Sequence, residues 1–128
     1  MCIRDSPRAA LDACGALLEN ERDDEEIRTI HYMLGTIYRT QLDDCAEAMK
    51  HYEQVLVYGR RALLDDEARL FRASCALQLG DLKTAQRDIR ALAPHAARLS
   101  RPAELRALEL QVRAALSAQG SDQGAEDE

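Results

Sequence analysis

Between Asp24 and Thr40 the apolar residues are Ile27, Ile30, Leu34, Ile37 and Tyr38. Their steps of three and four place one stripe along one face of a helix. The same spacing recurs along the chain. It is carried by Ala10, Leu11, Cys14, Leu17 and Leu18, then by Cys45, Ala48, Met49, Tyr52, Val55 and Leu56. It continues with Leu70, Ala73 and Leu77, with Leu82, Ala85, Ile89 and Leu92, and with Leu105, Leu108, Val112 and Leu116. No segment alternates with a period of two, so strands are not expected. The pattern predicts an all-α chain of about six short helices joined by brief links.

Polar residues mark the helix boundaries. Asp23 or Asp24 can cap the second helix, with Glu25 and Glu26 in its first turn, where acidic groups meet the positive end of the helix dipole. Asp43 or Asp44 stands before the third helix, and Asp65 or Asp66 before the fourth. Gly80-Asp81 breaks the fourth sharply, Pro94 ends the fifth and Pro102 opens the sixth. These acidic pairs could in principle bind calcium or serve acid–base chemistry. They lack the alternating calcium-loop pattern, and capping accounts for all three.

Short links favour antiparallel neighbours, and each one-striped helix must bury its stripe on the next. The hairpins also repeat. Cys45-x2-Ala48-x3-Tyr52-x2-Val55 aligns with Leu82-x2-Ala85-x3-Ile89-x2-Leu92. The offset from Ala48 to Ala85 is 37 residues. A small residue at both places lets two helices approach closely.

His31-x2-Leu34-Gly35-x2-Tyr38 followed by Ala48-x3-Tyr52, and then Leu79-Gly80-Asp81-Leu82 followed by Ala85-x3-Ile89, resemble the tetratricopeptide repeat. The likeness covers about residues 24 to 97. It implies an α-solenoid of antiparallel helix hairpins over residues 7–118, with residues 101–118 as a capping helix. It also implies a non-catalytic module that binds a protein or peptide in a concave groove lined by the first helix of each hairpin. Carried over residue by residue, the groove positions are Tyr32, Thr36 and Arg39 in one unit and Leu70, Ser74 and Leu77 in the next. Tyr32 and Thr36 stand where a chaperone-binding branch of that family carries Lys and Asn, so that activity is not implied. A second expectation is a regulatory or sensory segment of a larger, bacterial-type signalling protein.

The chain has 128 residues, one domain's worth, and 46% are hydrophobic, enough for a core. The formal net charge of −6 opposes a phosphate backbone, so nucleic acid is not an expected partner. No apolar run approaches the roughly 20 residues of a membrane span. Cys14, Cys45 and Cys75 show no metal-ligand spacing and read as small apolar core residues in a reducing compartment. His31 and His51 fall on consecutive helices and could face each other. Zinc needs three or four convergent ligands, so the expectation is packing for His31, solvent for His51, and no metal or cofactor. His95 follows Pro94 in a link. Neither a nucleophile elbow nor a Gly-rich phosphate loop is present, so no enzyme activity is expected.

The two ends read differently from the middle. Met1 to Ser6, MCIRDS, resembles the translation of a transposase adapter used to build sequencing libraries. The expectation is that native sequence once preceded Pro7, so a compartment is not assigned. Leu11, Cys14, Leu17 and Leu18 would then face a missing helix and leave an apolar patch that favours self-association. Residues 119–128, QGSDQGAEDE, are polar and acidic and are expected to be disordered.

Overall fold

The computed structural model describes the backbone of residues 6–57 and 62–127, with side chains except those of 62, 63, 98 and 120–127. Six α-helices and one 3₁₀ turn make up the fold: α1 (Pro7–Asn20), α2 (Asp24–Thr40), α3 (Cys45–Val57), α4 (Ala62–Leu79), α5 (Leu82–Leu92), a 3₁₀ turn (Ala93–Arg98) and α6 (Pro102–Asp127). There is no strand among the described residues, and no helix there is long and apolar enough to cross a membrane. The adapter-like stretch through Asp5 lies outside the described residues.

Each helix packs on its chain neighbours, and α4 also meets α6. Ala48 and Ala85 are both fully buried, as helix approach at those points requires. The core has three adjoining parts. One gathers Ala10, Cys14, Ile30, Leu34 and Ile37 from α1 and α2. The second joins α3 to α4 around Tyr52, Val55, Phe71 and Cys75. The third joins α4, α5 and α6 around Leu70, Ala85, Leu92, Leu105 and Val112.

Local chemistry sets the links. Ser6 caps α1, its hydroxyl accepting from the Ala9 N–H at 3.1 Å, with Pro7 in the first turn. Asp23 caps α2 through the Glu25 N–H at 2.9 Å, and Asp44 accepts from the Glu47 N–H at 3.1 Å at the start of α3. Asp81 caps α5, taking the Thr84 N–H at 3.2 Å and the Thr84 hydroxyl at 2.7 Å. The α4–α5 turn closes by a Schellman pair. Asp81 N–H donates to Ala76 C=O at 2.8 Å and Gly80 N–H to Leu77 C=O at 3.1 Å, with Gly80 at φ +82°. Asp43, the equivalent residue in the α2–α3 turn, also takes a left-handed backbone, at φ +50°.

Asp65 and Asp66 depart from the capping expectation, because α4 begins earlier, at Ala62. Asp65 faces Arg28, and Asp66 is buried. Arg28 is fully buried. Its Nη1 reaches Glu25 Oε1 at 2.9 Å, its Nη2 pairs with Asp65, and its Nε donates to Val55 C=O at 3.3 Å. One guanidinium thus ties the start of α2 to the end of α3 and the start of α4.

The two repeat units close their hairpins by different means. In the first, Gly35 faces the Tyr52 ring, and a Cβ there would lie 2.9 Å from Tyr52 Cε1. In the second, the Gly35 position is Arg72 and the Tyr52 position is Ile89. Arg72 instead makes a two-pronged pair with the buried Asp88, Nε to Oδ2 at 2.8 Å and Nη2 to Oδ1 at 2.6 Å.

Both ends differ from expectation. Cys14 is fully buried, Leu11 and Leu18 pack on the α1–α2 core, and only Leu17, 51% exposed, stands out. Docking of α1 on α2 covers the rest of the anticipated patch. At the other end α6 continues to Asp127 rather than ending at 118. Beyond Pro102 no proline interrupts it, and Ala, Gln and Glu favour the helix.

Candidate partner-binding cleft

A cleft of about 190 Å³ opens where α2, α4 and α6 come together. Arg39 comes from α2, Leu70, Phe71 and Ser74 from α4, and Glu104, Ala107, Leu108 and Gln111 from α6. The α6 residues are spaced by three and four, so one face of that helix forms a wall.

The arginine of this cleft is positioned by a chain of hydrogen bonds. Arg39 Nε–H donates to the Tyr52 hydroxyl at 3.1 Å. Tyr52 and Thr36 share a hydrogen bond of 3.0 Å, and the Thr36 hydroxyl donates to Tyr32 C=O at 2.9 Å. Passed in that order, each hydroxyl accepts one proton and donates another. The Arg39 guanidinium carbon lies 3.9 Å from the centre of the Phe71 ring, and that of Arg101 lies 5.5 Å away. Two cations thus lie over the Phe71 ring, a favourable placement for an aromatic face. Arg101 also reaches Glu104 at 3.0 Å and Glu67 at 3.7 Å.

Burial raises the pKa of the tyrosines behind the cleft, making them weaker acids. Tyr32 is pushed up to about 12, first by desolvation and then by the Glu67 charge. Tyr52 is raised by desolvation, against hydrogen bonds from Thr36 and Arg39 that lower it. Both hydroxyls therefore stay protonated in neutral solution and can act as donors.

The six groove residues expected from the sequence separate here. Arg39 and Ser74 line the cleft. Tyr32 and Thr36 sit behind it as supports: the Tyr32 ring packs 5.8 Å from Tyr52 and 6.4 Å from Phe71. Leu70, 1% exposed, is core and forms only the floor, while Leu77 packs against the same cluster. Sequence reasoning missed Phe71 and the whole α6 wall. Phe71 is the one phenylalanine in the chain, a usable signal. The wall could have been found from Glu104, Ala107 and Gln111, which flank the apolar stripe at Leu105 and Leu108.

Of the two histidines, His31 packs as expected, while His51 is not left to solvent. His31 Nδ1 and His51 Nδ1 lie 3.1 Å apart, both half-buried, with ring centres 5.3 Å apart. Tyr38 stacks on His51, with ring centres at 5.5 Å and an interplanar angle of 9°. Burial lowers both imidazoles from their ordinary value, and for His31 the His51 charge lowers it further. Cys45 and Cys75 are buried free thiols. Cys45 donates to Gln78 Oε1 at 3.1 Å, and burial pushes the Cys75 thiol up, which makes it inert rather than reactive.

The chain matches no protein-family model, no curated protein and no solved structure.

Proposed function

We propose that this chain is a non-catalytic interaction module of tetratricopeptide type, a solenoid of antiparallel hairpins that holds an extended peptide or a partner helix in the cleft between α2, α4 and α6. One observation carries the reading: side chains from three alternate helices, Arg39, Ser74 and Gln111 among them, converge on a single cleft. The floor of Leu70 and Leu108 suits an aliphatic side chain, and the rim offers a guanidinium, a hydroxyl, a carboxylate and an amide. An apolar floor with a few convergent polar groups is how such sites combine affinity with orientation. Arg39 is held in place before any partner arrives, so little ordering is needed on binding.

The test is selection of peptides from a random display library on the intact chain, followed by calorimetry. Ser74→Trp fills the cleft and Arg39→Ala removes its cation. Selected peptides should lose about tenfold or more in affinity with each, the scale of one good contact. A control, Glu21→Ala at the opposite end, should leave affinity unchanged. Peptides that bind the Ser74→Trp variant as tightly as the parent would place recognition elsewhere and refute the reading.

A further inference from the structure

The His31–His51 pair lies on the α2–α3 hairpin and belongs to no part of the cleft. Two facing Nδ1 atoms at 3.1 Å can form a hydrogen bond in only one way. One ring supplies an N–H and the other a lone pair. Two protonated rings would set N–H against N–H. The contact therefore requires at least one neutral imidazole, the form that ligates metals.

We propose that His31 and His51 form a two-imidazole site for a divalent transition-metal ion of the copper, nickel and zinc class. At a metal–nitrogen distance of about 2.05 Å, nitrogens 3.1 Å apart subtend roughly 100° at the ion. That angle falls between the right angle of a square-planar pair and the tetrahedral one, so copper and zinc geometries are both within reach. The ion replaces the shared proton. The ring that carries Nδ1–H moves that proton to Nε2, each ring then presents an Nδ1 lone pair, and no net proton is released. Each ring must turn by roughly 40° from the hydrogen-bonded line to aim its lone pair at the ion, as follows from the 3.1 Å separation and a metal–nitrogen bond of about 2.05 Å.

The surroundings favour this use. Tyr38 holds the His51 ring plane. The two helices are tied together by Arg28 on Val55 C=O and by Thr36 and Arg39 on Tyr52, the residue that follows His51. Glu47 stands one turn before His51 on α3, where its charge acts on that ring, and it also pairs with Lys50 at 3.3 Å. No group of three His, Cys, Asp or Glu able to hold a metal occurs among the described residues. Water therefore completes the coordination, and the affinity follows imidazole preference, with copper(II) tightest.

The experiment uses the full chain with copper(II) and, separately, zinc(II). Calorimetry gives stoichiometry and affinity, and electron paramagnetic resonance of the copper form reports bound nitrogens. The expected result is one copper(II) per chain with two imidazole nitrogens and weaker binding of zinc(II). His31→Gln and His51→Gln should each weaken binding at least about tenfold, since loss of a supporting partner alone can do that much. His95→Gln should change nothing. A second readout needs no variant: substoichiometric copper should broaden the His31 and His51 imidazole resonances and spare His95. Equal broadening of all three, or affinity unchanged by both substitutions, overturns the proposal.

Discussion

Replacing Arg28 by methionine tests how the helices are tied together. The side chain is fully buried, and its guanidinium touches three helices through Glu25, Val55 C=O and Asp65. The three losses are unequal. The Glu25 side chain is 46% exposed and returns to water, so that contact was worth at most about 1 kcal/mol. Val55 C=O loses this buried donor, at about 1–3 kcal/mol. The Asp65 side chain, only 18% exposed, is left as a poorly solvated charge, and removing one partner of a buried pair costs about 3–5 kcal/mol in all. Methionine restores part of the stem packing. The net loss should be about 3 kcal/mol, read by urea unfolding followed by far-ultraviolet circular dichroism. For a domain of this size that corresponds to a Tm drop of roughly 10 °C. Arg28→Met with Asp65→Leu removes both charges and should recover most of the loss, because the penalty lies in the orphaned carboxylate. A single variant within about 1 kcal/mol of the parent, or a double variant as unstable as the sum of its parts, would refute this reasoning.

Other substitutions probe the turns and the hairpin contact. Gly80→Ala places a side chain at φ +82° and should cost about 1–2 kcal/mol in the same unfolding assay. Gly35→Ala gains about 1 kcal/mol of helix propensity but presses on the buried Tyr52 ring. Overpacking of up to about 3 kcal/mol should leave a net loss, with a changed near-ultraviolet tyrosine signal. Asp81→Ala removes a cap and should cost about 1 kcal/mol. The pH dependence of that cap has a definite sign. Hydrogen bonds from Thr84 hold the Asp81 carboxyl below its ordinary value, so its contribution is present above the unfolded value and is lost as pH falls through the lowered one. Asp81→Asn keeps a capping acceptor without the charge, and its acid unfolding limb should be shallower than the parent's. An unchanged limb would show that the carboxylate does not contribute.

The helices were legible because their stripes are regular, and Ala48 and Ala85 were legible as places of close approach. Short-range caps at Asp23 and Asp44 could also be read, since each acts within three residues of itself. What could not be read were pairings across the chain. Asp65 looks like any helix-opening aspartate until Arg28, 37 residues earlier, is brought against it. Leu70 and Leu77 share a helix with Ser74, and only the docking of α6 decides that the leucines face the core while Ser74 borders a cleft. His51 was expected in solvent because nothing within its own helix shows that Tyr38, from α2, stacks on it.

Closure of one hairpin by a glycine against tyrosine, and of the other by an arginine–aspartate fork, has a bearing on how the chain assembles. Chains built from similar units can dock the wrong pieces together, and exchange of like elements is their usual misfolding route. Here a mismatched pairing of α2 with α5 would leave Asp88 without its guanidinium, and α4 in the place of α2 against α3 would drive the Arg72 side chain into the Tyr52 ring. Dissimilar locks therefore make each half recognise its own mate.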